Sequence, residues 1–183
     1  ALDKLRSKPV VTATVERNSV DVAAAVKNIV AARPEAVVQI SAYKSCAAFV
    51  RAARKAGFAG QFYNVSFVGT AALAAELGAE ARGVVVSQVM PYPFAAITPI
   101  AGEFLAAAAG SNVDINYSSM EGFVAAKTVV EALRRNGGAG GEALIASLEG
   151  LREFNLGGFF VDFSPTRHTG SNFADLAQAL EGL

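Results

Sequence analysis

The sequence predicts an α/β protein, a three-layer doubly wound parallel sheet, and three observations carry that expectation. Short Val-rich runs alternate with longer Ala-rich runs of helical period through residues 1–90. The connections between them are short, and strand–helix units joined in this way lay down parallel strands with helices on both faces. The composition agrees: of 183 residues, 52% are apolar and 17% charged, with 17 glycines and no tryptophan. That is enough for one ordinary domain or two small lobes around a sizeable core, and it excludes disorder.

The elements follow in order. Residues 1–6 (ALDKLR) read as the last turns of an amphipathic helix rather than a secretory signal. The chain is therefore expected to be a fragment that begins inside an element. Pro9 ends that helix, and residues 10–15 (VVTATV) form a β-rich run. Asn18 or Ser19 is placed to cap a helix over residues 20–32, whose Val22, Ala25, Val26, Ile29 and Val30 share one face. After Pro34, the short apolar run near 36–41 reads as a buried strand. Tyr43, Lys44 and Ser45 open the next helix, with Ala47, Phe49, Val50 and Ala53 on its inner face and Gly57 as its C-terminal cap. Residues 61–65 are the next strand, Thr70 is placed to cap a helix over 71–77, and residues 84–89 are a fourth strand.

Residues 90–93 (MPYP) break the pattern, because two prolines around an aromatic make a stiff extended connector suited to a crossing between lobes. Helices follow over 97–109, 117–135 and 142–148, the last two joined by the glycine-rich link 137–141. No strand precedes residue 158 in this half, so its helices need a sheet supplied by the missing N-terminal segment or by another chain. Residues 158–163 (GFFVDF) read as a strand, 164–166 as a second rigid connector, and the tail from Phe173 as a strand or a helix. No internal repeat stands out.

Charge and chemistry exclude several classes. Sixteen basic and sixteen acidic side chains cancel, so no overall field favours nucleic acid or an anionic membrane. The longest apolar runs stop well short of the ~20 residues of a membrane helix. One cysteine and one histidine leave no disulfide framework and no histidine- or cysteine-rich metal site. Phosphate-loop, dinucleotide and nucleophile-elbow patterns are absent. Cys46 on an Ala-rich helix start reads as a small buried residue, and His168 as an exposed turn residue, rather than as a catalytic dyad. No cofactor is expected.

Ligands of open parallel sheets sit outside the carboxyl ends of the strands, which singles out the loops 41–45 and 66–70. Tyr43 and Ser45 at a helix start are suited to an anion, or Ser45 simply caps its own helix. Ser66 beside Phe67 suits a small amphipathic ligand, or Phe67 is core. Tyr117, Ser118 and Glu121 open the longest helix, where Glu121 reads as a favourable acidic first turn.

Four strings carry a resemblance to a known family. They are VERNSVDVAAAVKNIVAARPEAVVQISAYKSCAAFVRAARKAGFAGQFYNVSFVG, GVVVSQVMPYP, YSSMEGFVAAKTVVEALRR and LGGFFVDFSPTRHTGS. Together and in this order they closely resemble the C-terminal half of type I periplasmic solute-binding proteins of ABC transporters, the leucine-isoleucine-valine-binding-like group. The resemblance implies two α/β lobes with a ligand trapped between them. Residues 1–90 and 166–183 would belong to the second lobe. Residues 91–165 would supply hinge crossings and helices of the first lobe, whose sheet is largely missing.

It also implies a function: an extracytoplasmic, periplasmic solute-binding component that hands a small amino acid-like or carboxylate ligand to a membrane permease. The alternative is a ligand-sensing receptor or regulator of the same fold; an enzyme is not expected. Carried over by position, the resemblance implies ligand contacts from Ala42 and Tyr43, from Ser66, and from Tyr117 or Ser118, beside the Phe67 contact read from the residues themselves. Amino-acid binders place a carboxylate at the position of Ser66 to meet the ligand's ammonium. Here the loop reads Asn64-Val65-Ser66-Phe67, without an acid. A buried unpaired ammonium is costly, so a carboxylate without an amine fits as well as an amino acid does.

Overall fold

The computed structural model describes residues 2–178. These divide into two compact units, one of residues 2–87 with 176–178 and the other of residues 88–175.

The first unit is a parallel α/β sheet. Strands β1 (Ala36–Gln39), β2 (Gln61–Asn64) and β3 (Val85–Gln88) run parallel, with Gln39 opposite Asn64 and Asn64 opposite Val86. A later strand, β4 (Asp175–Gln178), completes the sheet beside β3. The tail expected as strand or helix is thus a strand as far as residue 178. Helices α1 (Ala23–Ala31), α2 (Tyr43–Lys55) and α3 (Thr70–Leu77) bury Ile29, Val50, Ala53 and Leu73 in one core with Val37, Phe62 and Val86 of the strands. Phe62 holds the centre, edge-on to Phe58 at 5.1 Å and to Phe49 at 6.5 Å between ring centroids. Period-2 alternation puts Val37, Phe62 and Val86 inward, while Val38 and Ile40 on the opposite face are 67% and 73% exposed.

Helix α2 stops where the sequence placed its cap. Gly57 takes φ +88°, its amide donates to the Arg54 carbonyl, and the Phe58 amide donates to the Ala53 carbonyl. This is a Schellman motif, which glycine enters without the steric cost of a Cβ. Gly60 is required for another reason. A Cβ there would lie 2.4 Å from the Glu35 carbonyl oxygen, the acceptor for the Gln61 amide that starts β2.

Several expectations in this unit are corrected. Residues 2–5 form one 3-10 turn, not the end of an α-helix. Residues 10–15 are not a strand: Val11 and Val15 pack on the core and Val10 is 77% exposed, but no ladder forms. Val and Thr favour extended backbone, yet a strand also needs a neighbouring backbone to bond. Helix α1 starts at Ala23, later than expected, and neither Asn18 nor Ser19 caps it. Ser19 Oγ instead accepts from the Asp21 amide at 3.0 Å, and Asp21 Oδ1 from the Ala23 amide at 3.3 Å. Thr70 is the first residue of α3 rather than its cap, which is Gly69.

The second unit holds α4 (Pro99–Ala108), α5 (Tyr117–Arg135) and α6 (Glu142–Glu149). Its own sheet is a two-stranded antiparallel pair of Phe154–Asn155 and Phe160–Val161. Helix α4 starts on Thr98, whose Oγ1 accepts from the Ala101 amide at 3.3 Å, with Pro99 at the first helical position. Ile100, Phe104, Met120, Val124, Leu151 and Phe159 form its core.

The strand expected over 158–163 shrinks to Phe160–Val161, because Gly157 (φ +109°) and Gly158 (φ +88°) turn the chain out of extended geometry. The connector expected at 164–166 is a tight reversal. Ser164 and Arg167 exchange backbone hydrogen bonds of 2.9 and 3.0 Å across it.

Candidate functional site

In the first unit, β1 and β2 are parallel neighbours, so the loops that follow them leave from the same end of the sheet. Ala42 is exposed and precedes the first residue of α2. Tyr43 is half-buried, with the Lys44 ammonium 5.9 Å from its ring centroid. Ser45 does not cap its own helix: its hydroxyl donates to the Ser19 carbonyl, tying α2 to the segment before α1.

Ser66 opens a 3-10 turn over Ser66–Val68, closed by the Val68 amide on the Val65 carbonyl at 3.0 Å. The Ser66 amide donates to Ser87 Oγ at 3.2 Å, which anchors the turn to β3. Phe67 projects from this turn 64% exposed, so the core reading of Phe67 is wrong. Neither loop carries an acidic residue.

In the second unit, Tyr117 starts α5 with a half-buried ring. Burial pushes its phenol above the ordinary tyrosine range, and Asp175 and Tyr92 nearby add to the shift. Tyr117 ends a row of rings: Phe94 lies 6.1 Å from it and Tyr92 lies 5.2 Å from Phe94, both edge-on. Tyr92 and Phe94 are 42% and 43% exposed, whereas Pro91 and Pro93 between and beside them are buried. The prolines fix the backbone, so the two rings stay outside the core. Tyr92 and Phe94 are not among the residues that the sequence singled out as ligand contacts. The available signal was two aromatic residues within a run of alternating prolines.

Ser118 is exposed and does not cap α5. The cap is reciprocal between Asn116 and Ser119. Asn116 Oδ1 accepts from the Ser119 amide at 2.9 Å, and Ser119 Oγ accepts from the Asn116 amide at 3.0 Å. Glu121 falls beyond the first turn, so the acidic-start reading is also corrected.

The side chains that could do covalent chemistry are committed elsewhere. Burial pushes the Cys46 thiol up to about 11, and its Sγ donates to the Ser41 carbonyl at 3.4 Å, so it is protonated at neutral pH. His168 Nε2 faces Glu149 Oε1 at 3.0 Å. A groove of the second unit between α5 and Phe154 has its charges paired internally, Lys127 with Glu103 and Arg134 with Glu131. Among the described residues, no cluster of His, Cys, Asp and Glu could hold a metal ion.

Comparison with known proteins decides the family. The periplasmic binding protein model matches residues 1–182. The chain belongs to the periplasmic binding protein family. Among solved structures it is similar to a possible leucine/isoleucine/valine-binding protein from Rhodopirellula baltica, with 28% identity and a TM-score of 0.79 over 90% of this chain and 46% of that one. A substrate-binding periplasmic protein from Ralstonia solanacearum shares 32% identity and a TM-score of 0.75 over 88% of this chain and 48% of that one. An extracellular ligand-binding receptor from Verminephrobacter eiseniae shares 31% identity and a TM-score of 0.75, covering 86% of this chain and 46% of that one. This chain thus spans about half the length of the solved relatives it matches. No curated protein matches it in sequence. The resemblance read from the sequence, to the leucine-isoleucine-valine-binding group of type I fold, is correct, and the chain covers part of that fold. Among the described residues, no helix is long and apolar enough to cross a membrane.

Proposed function

We propose that this chain is part of an extracytoplasmic, periplasmic solute-binding protein of an ABC uptake system. It holds a small amino acid-like or carboxylate ligand between two lobes and presents it to a membrane permease. Residues 1–90 and 166–183 belong to one lobe, and residues 91–165 contribute crossings and helices to the other. The observation that carries the reading is the family match over residues 1–182. The loops at the carboxyl ends of β1 and β2 supply Ala42, Tyr43, Ser66 and Phe67 to the ligand. Tyr117 and Ser118 serve it from the other lobe, with Tyr92 and Phe94 extending the Tyr117 surface. An exposed phenyl beside hydroxyls offers an apolar contact with a few orienting hydrogen bonds, the usual make-up of a small-molecule site.

Mass spectrometry of small molecules released from the natively purified protein tests this, together with calorimetric titration of leucine and of 4-methylpentanoate. A bound carboxylate or amino acid is expected. A protein that releases no such molecule and gives no heat with either ligand refutes the reading.

A further inference from the structure

We propose that Gln39 and Asn64 form a buried binding site for an internal water molecule, beneath the loops that follow β1 and β2. The proposal stands apart from the ligand reading, since it rests on the hydrogen-bond inventory of the sheet itself. Asn64 is only 3% exposed, and neither its Nδ2 nor its Oδ1 has a partner among the described residues. Gln39, 9% exposed, leaves its Oε1 equally unpartnered, while its Nε2 donates to the Cys46 carbonyl at 3.4 Å.

The two residues face each other in register at the last positions of adjacent parallel strands. In-register neighbours of parallel strands point to the same face, so both side chains leave the sheet on the α2 side, where Gln39 meets the Cys46 carbonyl. The nearby polar groups of α2 are already engaged, Ser45 Oγ with the Ser19 carbonyl and Cys46 Sγ with the Ser41 carbonyl. A buried carboxamide with nothing to bond costs one to two decades or more in the folding equilibrium, about the same as breaking a good hydrogen bond and leaving its partner bare. Folded proteins avoid that cost by admitting water to such spots, on the order of one buried water per 27 residues.

The chemistry of the orphan atoms matches water. Gln39 Oε1 and Asn64 Oδ1 are acceptors and Asn64 Nδ2 is a donor. A water molecule carries two hydrogens for the first pair and a lone pair for the third. An ionic guest would need a counter-charge, and neither strand end provides one. The bridge ties together the ends of two strands, from which the loops bearing Tyr43 and Ser66 depart.

A crystal structure of the protein at a resolution that shows ordered solvent tests the proposal. A water within about 3 Å of both side chains is expected. A dry contact, with Asn64 turned onto a protein partner, overturns it. A double-mutant cycle with Asn64→Leu and Gln39→Leu gives a second readout by chemical denaturation. Asn64→Leu should shift the unfolding equilibrium about tenfold or more toward unfolding, because it strands Gln39 and the water. The double variant should lose less than the sum of the single variants. A more stable Asn64→Leu protein, or strict additivity, also overturns the proposal. If either variant fails to fold, the solvent seen in the unsubstituted protein decides.

Discussion

Ser66 is where a single residue bears most on ligand choice. The loops 41–45 and 64–70 carry Lys44 and no acid, and Ser66 spends its amide on Ser87 Oγ, leaving a hydroxyl but no charge for a ligand. A charged hydrogen bond is worth roughly 1.5–3 kcal/mol, or about one to two decades of affinity. Leucine is therefore expected to bind within tenfold of its des-amino analogue, 4-methylpentanoate. Ser66→Asp should move that ratio toward leucine by about tenfold or more. A hundredfold preference of the unsubstituted protein for leucine, measured by calorimetry, would contradict the role given to Ser66. Cys46 allows a second test at this scale. Its thiol is raised from 9.0 to about 11 by burial, so the unfolded chain ionises first as pH rises. The stability tied to its neutral form is fully present below about pH 9 and is lost as pH climbs toward 11. Urea denaturation at pH 7 and pH 10.5 should show a larger loss for the unsubstituted protein than for Cys46→Ala. Equal losses would mean the thiol does not feel its burial.

At the scale of elements, the start of α5 separates two adjacent serines. Ser119 and Asn116 satisfy each other's backbone amides, and Ser118 between them is exposed. Asn116→Ala should destabilise the protein by about 1 kcal/mol, whereas Ser118→Ala should stay within about 0.5 kcal/mol of the parent. Thermal denaturation that ranks them the other way would refute the cap assignment. The same region shows what a sequence conceals. The parallel strands β1 to β3 were legible because apolar residues in short runs bounded by Gly, Pro and polar loops leave few alternatives. The Gly57 stop was legible because a left-handed residue after a basic last turn has a strong glycine preference. Residues 10–15 were misread as a strand, since Val and Thr report a preference for extended backbone and not the presence of a neighbour to bond. The Asn116–Ser119 box was missed because it lacks the acidic third residue of the usual pattern. The row Tyr92–Phe94–Tyr117 was also hidden, because contact between residues more than twenty positions apart is a tertiary fact that no local spacing records.

At the scale of the whole chain, apolar side chains remain uncovered in both units. In the first, Val38 of β1 and Ile40 just past its end lie bare, and β1 ends the strand order among the described residues. Its outer backbone groups have no ladder partner there, and such an edge is a template for another strand. In the second, Val130 (52% exposed) stands out from α5, Phe160 (55%) from the short sheet, and Ile97 (68%) and Val113 (52%) from the loops before and after α4. Isolated exposed apolar residues are ordinary, but a bare sheet face beside an open edge is not. The chain spans about half the length of the solved relatives it matches. At roughly 25 cal/mol per Å², burying 400 Å² is worth about 10 kcal/mol before the cost of association, which is of similar size. The 183-residue chain alone is therefore expected to self-associate in a concentration-dependent way. Multi-angle light scattering over a tenfold dilution series measures this directly. Ile40→Lys, which puts a charge on the bare face without touching the core, should shift the equilibrium toward monomer. A monodisperse, cooperatively folded monomer at every concentration would show instead that these faces are tolerated in water.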